Sequence, residues 1–338
     1  MQVAHADTPY RIAQFHAPLS RDGPGLLLAD ILSEDEQVLA IASTIAHVDP
    51  DVIALTDFDY DHEAVALTAF SDLLARLGSQ YPHAYAPLPN AGQPSGLDID
   101  GDGRFGEPED AVGYGRFWGD GSVAVLSKWP IDAAGIGDLS GIKWANLEGN
   151  RSDGLPEGIR QLPVSSSAHI IVPIDAPQGP FNLLVSAATA PVFDGPEDRN
   201  GRRNADELLL WQTHLEGAKE RYVLAINANL DPYDGEGLHD AMTGFLASGL
   251  TQDPNPTSLG DIAAADPDHR GPPELDTVDW PDGRPGNLRV GYVLPDPDWR
   301  VEAAGVFWPD PSEPNANLLG ADGLAAGPHR LVWVDLRP

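Results

Sequence analysis

Cysteine is absent from the 338-residue chain, which removes thiol nucleophiles, disulfide frameworks and cysteine-ligated zinc together. Basic residues are scarce: 20 Lys and Arg stand against 52 Asp and Glu, a formal charge of −32, and no basic stripe interrupts the acidity. A protein that neutralises a phosphate backbone needs such a stripe. Long nucleic acid is therefore disfavoured as a partner, and any phosphate chemistry has to be local or carried by a metal. No window approaches the roughly 18 uninterrupted apolar residues that read as a membrane span. The charge does not imply disorder, because 42% of the residues are hydrophobic and 8 are Trp, enough to bury a sizeable core.

Glycine (35) and proline (32) are plentiful and cluster at 87–121, 149–163, 191–201, 231–237 and 253–286, which predicts long loops. Between them, aliphatic and β-branched runs at 11–15, 52–58, 122–127, 169–173, 181–186, 222–226, 288–294 and 330–336 read as strands. Residues 33–48 place Val38, Ile41, Ala42 and Ile45 on one helical face and open with a Ser33/Glu36 capping box. Further helices are expected at 62–77, 204–219 and 238–246. This order implies an α/β layered fold. Strand ends run into polar loops at 15–17, 56–59, 226–229 and 327–329, the places where sites are usually built. Ala4-His5-Ala6 matches the small-x-small pattern that precedes signal-peptidase cleavage, so residues 1–10 read as a leader remnant and the protein as secreted or periplasmic.

Asp98, Asp100, Asp102, Gly103, Arg104 and Glu109 follow D-x-D-x-D-G with an acid at the twelfth position. A cation of calcium size takes about six to eight oxygens, and alternate carboxylates wrap one ion while the glycine allows the sharp turn. The Arg104 carbonyl and the Glu109 carboxylate would complete the shell. The competing reading is a solvated acidic loop. Because no amphipathic helix flanks the loop, the expected role of calcium is structural.

The ordered segments resemble the endonuclease/exonuclease/phosphatase superfamily over nearly the whole chain, 11–338 reading as a single domain. The echo is closest to an exported bacterial branch, in segments 11–15, 49–55, 58–61, 94–96, 192–204 and 329–335. The resemblance implies a four-layer α/β sandwich, two mixed β-sheets packed face to face with outer helices. It also implies metal-assisted hydrolysis of phosphoesters.

The departures bear directly on that chemistry. Family members carry an Asn after the first strand, where this chain has His16, and a metal-binding Glu at the end of the next strand, where it has Asp57. The catalytic His of a Ser-His-Pro-Thr-like segment has no counterpart in residues 186–189. The Gly-Asp-x-Asn motif has become Ile226-Asn227-Ala228-Asn229, and the Asp expected before the Val-Leu-Pro strand is Gly291. Only Asn229 and His329 match the family's catalytic set. Losing one general acid or base costs about 10²–10⁴-fold in rate, and several roles lose a group here. Magnesium is a poor guest for a pocket that has exchanged oxygens for imidazole and amide.

Under the implied fold His16, Asp57, Asn227, Asn229 and His329 converge, and two His with one carboxylate resemble a facial site for Mn, Fe or Zn. Asn200, Arg202 and Arg203 lie in a turn that could clamp a small anionic or phosphorylated ligand; the alternative is a helix start whose arginines pair with Asp194, Glu197 and Asp198. His169 reads as a buried core histidine. Two functions stand: a non-catalytic or weakly active anion-binding or scaffold protein, stabilised by calcium and with a largely dismantled phosphodiesterase site, or a divergent metal-dependent hydrolase using His16, Asp57 and His329 as metal ligands.

Overall fold

The computed structural model describes residues 8–265, 268–281 and 285–338. The proposed leader at 1–10 falls mostly outside them, and Tyr10 already opens the first strand.

Eleven strands form two sheets. They are β1 (Tyr10–Leu19), β2 (Val52–Phe58), β3 (His83–Tyr85), β4 (Ser122–Ser127), β5 (Gly137–Asp138), β6 (His169–Ile174), β7 (Phe181–Ala187), β8 (Tyr222–Asn227), β9 (Gly291–Pro295), β10 (Arg300–Phe307) and β11 (Leu331–Arg337). The first sheet has the order β10-β11-β1-β2-β4-β3 and the second β5-β6-β7-β8-β9. Each is mixed: β1 runs parallel to β2, and β7 parallel to β8, while the other pairings are antiparallel. The fold is the expected α/β sandwich. Strands at the centre are covered on both faces, which is why β2 reads Val-Ile-Ala-Leu with every one of those residues buried and no polar alternation.

Helices line the outside: α1 (Leu26–Ser33), α2 (Glu36–Val48), α3 (Val65–Arg76), α4 (Glu157–Arg160), α5 (Arg199–Leu215), α6 (His239–Ala247) and α7 (Gly260–Ala263). The expected capping box is not the cap. Asp35 Oδ1 accepts from Gln37 N at 3.0 Å and Val38 N at 3.3 Å, while Ser33 closes α1 and donates to Asp30 O. Six elements went unread in the sequence: α1, β3, β5, α4, α7 and β10. In α1 the apolar run is too short to display a helical period, and β10 is an edge strand whose first half is exposed.

Inside the sandwich β1 faces β8 and β9, with Gln14 reaching across to Gly291. The ends of β1, β2, β8 and the start of β11 open towards the same polar loops.

Candidate active site

Strand register assembles the cluster. His16 pairs with Thr56 across β1 and β2, and Asn227, the last residue of β8, pairs with Gly291. His16 Nδ1 lies 2.9 Å from Thr56 Oγ1 and 3.1 Å from Asn227 Nδ2. The amide nitrogen can only donate, so Nδ1 accepts and the ring proton sits on Nε2. Asn227 Nδ2 also donates to Asn229 Oδ1 at 3.0 Å, and Asn229 Nδ2 donates to Ala188 O at 2.8 Å. His329 packs on His16 with ring centroids 4.2 Å apart. His16, Asn227, Asn229 and His329 therefore come together as expected.

The imidazoles are held neutral. Burial pushes His16 down to about 4, and burial, then His16, then Arg330 hold His329 well below its ordinary value. A base so weakened, with no proton to give at neutral pH, is a poor general acid or base.

Asp57 does not join them. Its backbone is left-handed, φ 67°, and the groups acting on its carboxyl are Ser20, Asp120, Asp59 and Arg21, with neither imidazole among them. Burial and the two neighbouring acids push Asp57 up to about 7, and Asp59 likewise. Such a conformation costs on the order of 1–3 kcal/mol at a non-glycine residue, and Asn229 (φ 48°) repeats it at the end of β8. The expected His16, Asp57 and His329 ligand set is thus corrected. Among the described residues the one set of three His or acidic side chains whose ligand atoms lie within 4.8 Å of one another is Asp98, Asp100 and Asp102.

Magnesium, the metal the fold family implies, does not fit here. Asp57 is turned away, Gly291 has no side chain, and what faces inward is two imidazoles and neutral amides. Gln14 fills the place of the missing acid: a Cβ on Gly291 would lie 2.7 Å from Gln14 Oε1, and Gln14 Nε2 donates to Thr56 Oγ1 at 3.2 Å. Magnesium needs a near-octahedral oxygen shell anchored by one or two carboxylates.

A strap also covers the cluster. Thr277 Oγ1 accepts from Val290 N and Gly291 N at 2.9 Å each, Thr277 O accepts from Arg330 N at 2.8 Å, and Asp279 N donates to Pro328 O at 2.9 Å. These bonds bring the Trp280 ring edge-on to His329, with centroids 5.4 Å apart. Asn227 is 0% and His329 8% exposed, while His16 keeps an intermediate exposure. Gln14, Thr56 and Trp280 were missed in the sequence. The first two share the strand-face parity of His16 and could have been found by it, whereas Trp280 lies in a loop that no periodicity marks.

The anion clamp is a second correction. Arg203 donates from Nε to Val164 O at 2.9 Å and from Nη2 to Pro163 O and Ser165 O at 3.1 Å each. Arg202 Nη1 reaches Asp153 O at 3.1 Å, and Asn200 Nδ2 donates to Val192 O at 2.7 Å. These side chains hold backbone carbonyls of the 151–165 and 188–198 loops to α5. Nearby, Glu207 accepts from Ser166 N at 2.6 Å and Thr189 N at 2.7 Å, fixing the end of β7. His169 is buried between Ser165 Oγ at 2.7 Å and Glu207 O at 3.2 Å.

In the acidic loop, Asp98 accepts from Gly101 N and Gly103 N at 2.8 and 3.0 Å, and Asp102 from Arg104 N at 2.8 Å. Glu109 stands exposed outside the aspartate set. The turn at Pro108–Asp110 points the next residue inward instead: buried Asp110 accepts from Ile99 N at 2.7 Å and Gly106 N at 3.0 Å. Arg199 Nη1 donates to Ile99 O at 2.8 Å and ties this loop to α5.

Residues 22–313 match the sequence profile of the Endonuclease/Exonuclease/phosphatase family. The chain belongs to this family. Solved structures share the family's fold with it. An endonuclease/exonuclease/phosphatase from Beutenbergia cavernae is 18% identical at a TM-score of 0.57, with 98% of this chain and 72% of that one covered. The human Nocturnin catalytic domain with bound sulfate is 16% identical at 0.52, with 97% and 94% covered. A mannosyl-6-phosphatase from Bacteroides thetaiotaomicron is 13% identical at 0.51, with 97% and 100% covered. No curated protein matches the chain by sequence. No helix among the described residues is long and apolar enough to cross a membrane.

Proposed function

We propose that this chain is a non-hydrolysing member of the endonuclease/exonuclease/phosphatase family, a binding or scaffold protein. The observation that carries this reading is the neutral His16–His329 pair, capped edge-on by Trp280 at His329 and, among the described residues, with no carboxylate in ion-pair reach. In-line attack on a phosphoester needs an activated water and a cation to spread the developing charge. Here the family's acid positions are a diverted Asp57 and a Gly291 backed by Gln14. With the helix α5 arginines bound to carbonyls and a net charge of −32, the partner suited to this surface is neutral or cationic.

Calcium at Asp98, Asp100 and Asp102 is the structural ion of this reading, and it would stiffen the loop that Arg199 fastens to α5. A secreted or periplasmic setting belongs to the same reading. The test is turnover of bis-p-nitrophenyl phosphate and p-nitrophenyl phosphate by untagged protein with Mg²⁺, Mn²⁺, Zn²⁺ or Ca²⁺. The expected result is no rate above the metal-only background. Metal-dependent turnover that disappears in His329→Ala would overturn the proposal in favour of a divergent hydrolase.

A further inference from the structure

A second cluster lies away from the histidine pair, where the loop after β8 meets the segment that precedes the strap. His269 is nearly enclosed, its side chain 6% exposed, and its Nε2 lies 3.6 Å from Asp234 Oδ2 on one side and 3.6 Å from Asp276 Oδ2 on the other. Those separations exceed hydrogen-bonding length. They are close to the roughly 3.4 Å that separates two ligands on a tetrahedral ion with bonds of about 2.1 Å.

An independent observation points to a missing occupant. Asp276 is 1% exposed, yet its Oδ2, the oxygen turned to His269, has no hydrogen-bond partner. Asp261 Oδ2 is orphaned and buried in the same way, although its Oδ1 accepts from Ile262 N. Buried polar atoms in folded proteins are normally satisfied, and a bare carboxylate oxygen is among the costliest exceptions.

Charge argues in the same direction. Burial, then Asp231, Asp261 and Asp234, push Asp276 up to about 8. Among the described residues the cation that acts on Asp276 is Arg289, and it is held by Asp253 in a two-pronged pair at 2.6 and 2.8 Å. Asp231 and Asp234 are fixed in place by backbone amides: Asp231 by Tyr233 N, Asp234 N and Arg289 N, and Asp234 by Gly271 N. The acids that surround His269 are therefore preorganised, and among the described residues the arginine that acts on Asp276 is already paired with Asp253.

We propose that His269, Asp234 and Asp276 form a binding site for one divalent transition-metal ion, with Asp261 as the reserve oxygen. An imidazole between two carboxylates suits Zn²⁺ and its first-row neighbours and disfavours Ca²⁺ and Mg²⁺, which take oxygen shells. The two carboxylates flank Nε2 more widely than the closed set at 98–102, so a small turn of Asp276, whose Oδ2 no hydrogen bond restrains, would complete the coordination. The ion would clamp the loop after β8 to the segment leading into Trp280.

The test uses the full untagged chain, stripped with chelator and then given Zn²⁺ or Co²⁺ alone. Wild-type protein is expected to retain one equivalent of zinc after desalting and to show the visible bands of tetrahedral Co²⁺. His269→Ala and Asp276→Asn are expected to weaken binding by at least about tenfold. Asp276→Asn is nearly isosteric and replaces the carboxylate ligand by a neutral amide, so it keeps the test open if His269→Ala folds poorly. His16→Ala and Asp98→Asn should leave zinc retention unchanged. Wild type that retains no stoichiometric zinc, Asp276→Asn that binds as tightly as wild type, or loss of the ion in Asp98→Asn or His16→Ala would overturn the site.

Discussion

Returning the family's acid to position 291 is expected to destabilise the protein unless Gln14 is removed with it. A Cβ on Gly291 would stand 2.7 Å from Gln14 Oε1, and Gln14 is 1% exposed with its amide on Thr56. Gly291→Asp alone overpacks the interior at a cost of about 1–3 kcal/mol. It also dislodges the Gln14 hydrogen bond, worth about 0.5–1.5 kcal/mol, so the single variant should lose about 2–4 kcal/mol in all. In a Gln14→Ala background the aspartate gains room, and the double variant should be about 1–3 kcal/mol more stable than the sum of the singles. Urea unfolding of all four proteins, followed by tryptophan fluorescence and linear extrapolation, measures this coupling. Costs that add to within about 0.5 kcal/mol would refute the idea that Gln14 occupies the acid's place.

Other outcomes follow from the same contacts. Folded Asp57 and Asp59 hold protons up to about 7, against about 3.9 for a free aspartate, so the folded state binds more protons as pH falls through that range and is stabilised by acidification. Between pH 8 and about 7, before most unfolded histidines charge, the thermal midpoint should rise, and Asp57→Asn should flatten the rise; a midpoint that falls over this window contradicts the assignment. Arg203→Ala orphans the carbonyls of Pro163, Val164 and Ser165 and should cost about 2–4 kcal/mol in urea unfolding while leaving any phosphate-induced thermal shift unchanged. Loss of such a shift without loss of stability would restore the clamp. Chelation should open residues 98–110 to protease first, and cleavage unaffected by chelator would argue against calcium at Asp98, Asp100 and Asp102.

The fold was legible where burial leaves a plain pattern. Val52–Phe58 and Ser122–Ser127 are aliphatic runs between turn residues, and both appear as strands with those bounds. Legibility failed where local chemistry competes. Gly201 made the start of α5 look like a loop, yet the helix begins at Arg199. Arg300–Phe307 shows an exposed edge-strand face with little β-branching.

In the site, the fold implied by the family resemblance, with these residues at strand ends, was enough to bring His16, Asn227, Asn229 and His329 together. Asp57 could not be placed the same way. The direction of its side chain depends on a left-handed backbone that an aspartate code letter does not announce. Trp280 depends on Thr277 and Asp279 anchoring a long loop, a tertiary arrangement with no sequence period. The arginines of α5 were identifiable as cations, but their acceptors are carbonyls far along the chain.

The most direct measurement of the central claim is nitrogen-15 NMR of the imidazole rings from pH 4.5 to 8, with and without Mn²⁺. A neutral pair with no metal bound predicts His16 protonated on Nε2 across neutral pH, titrating only near 4, with no paramagnetic broadening of His16 or His329. Titration of both rings near their ordinary values, or broadening of both by Mn²⁺, would contradict it and mean that the inherited metal site is open.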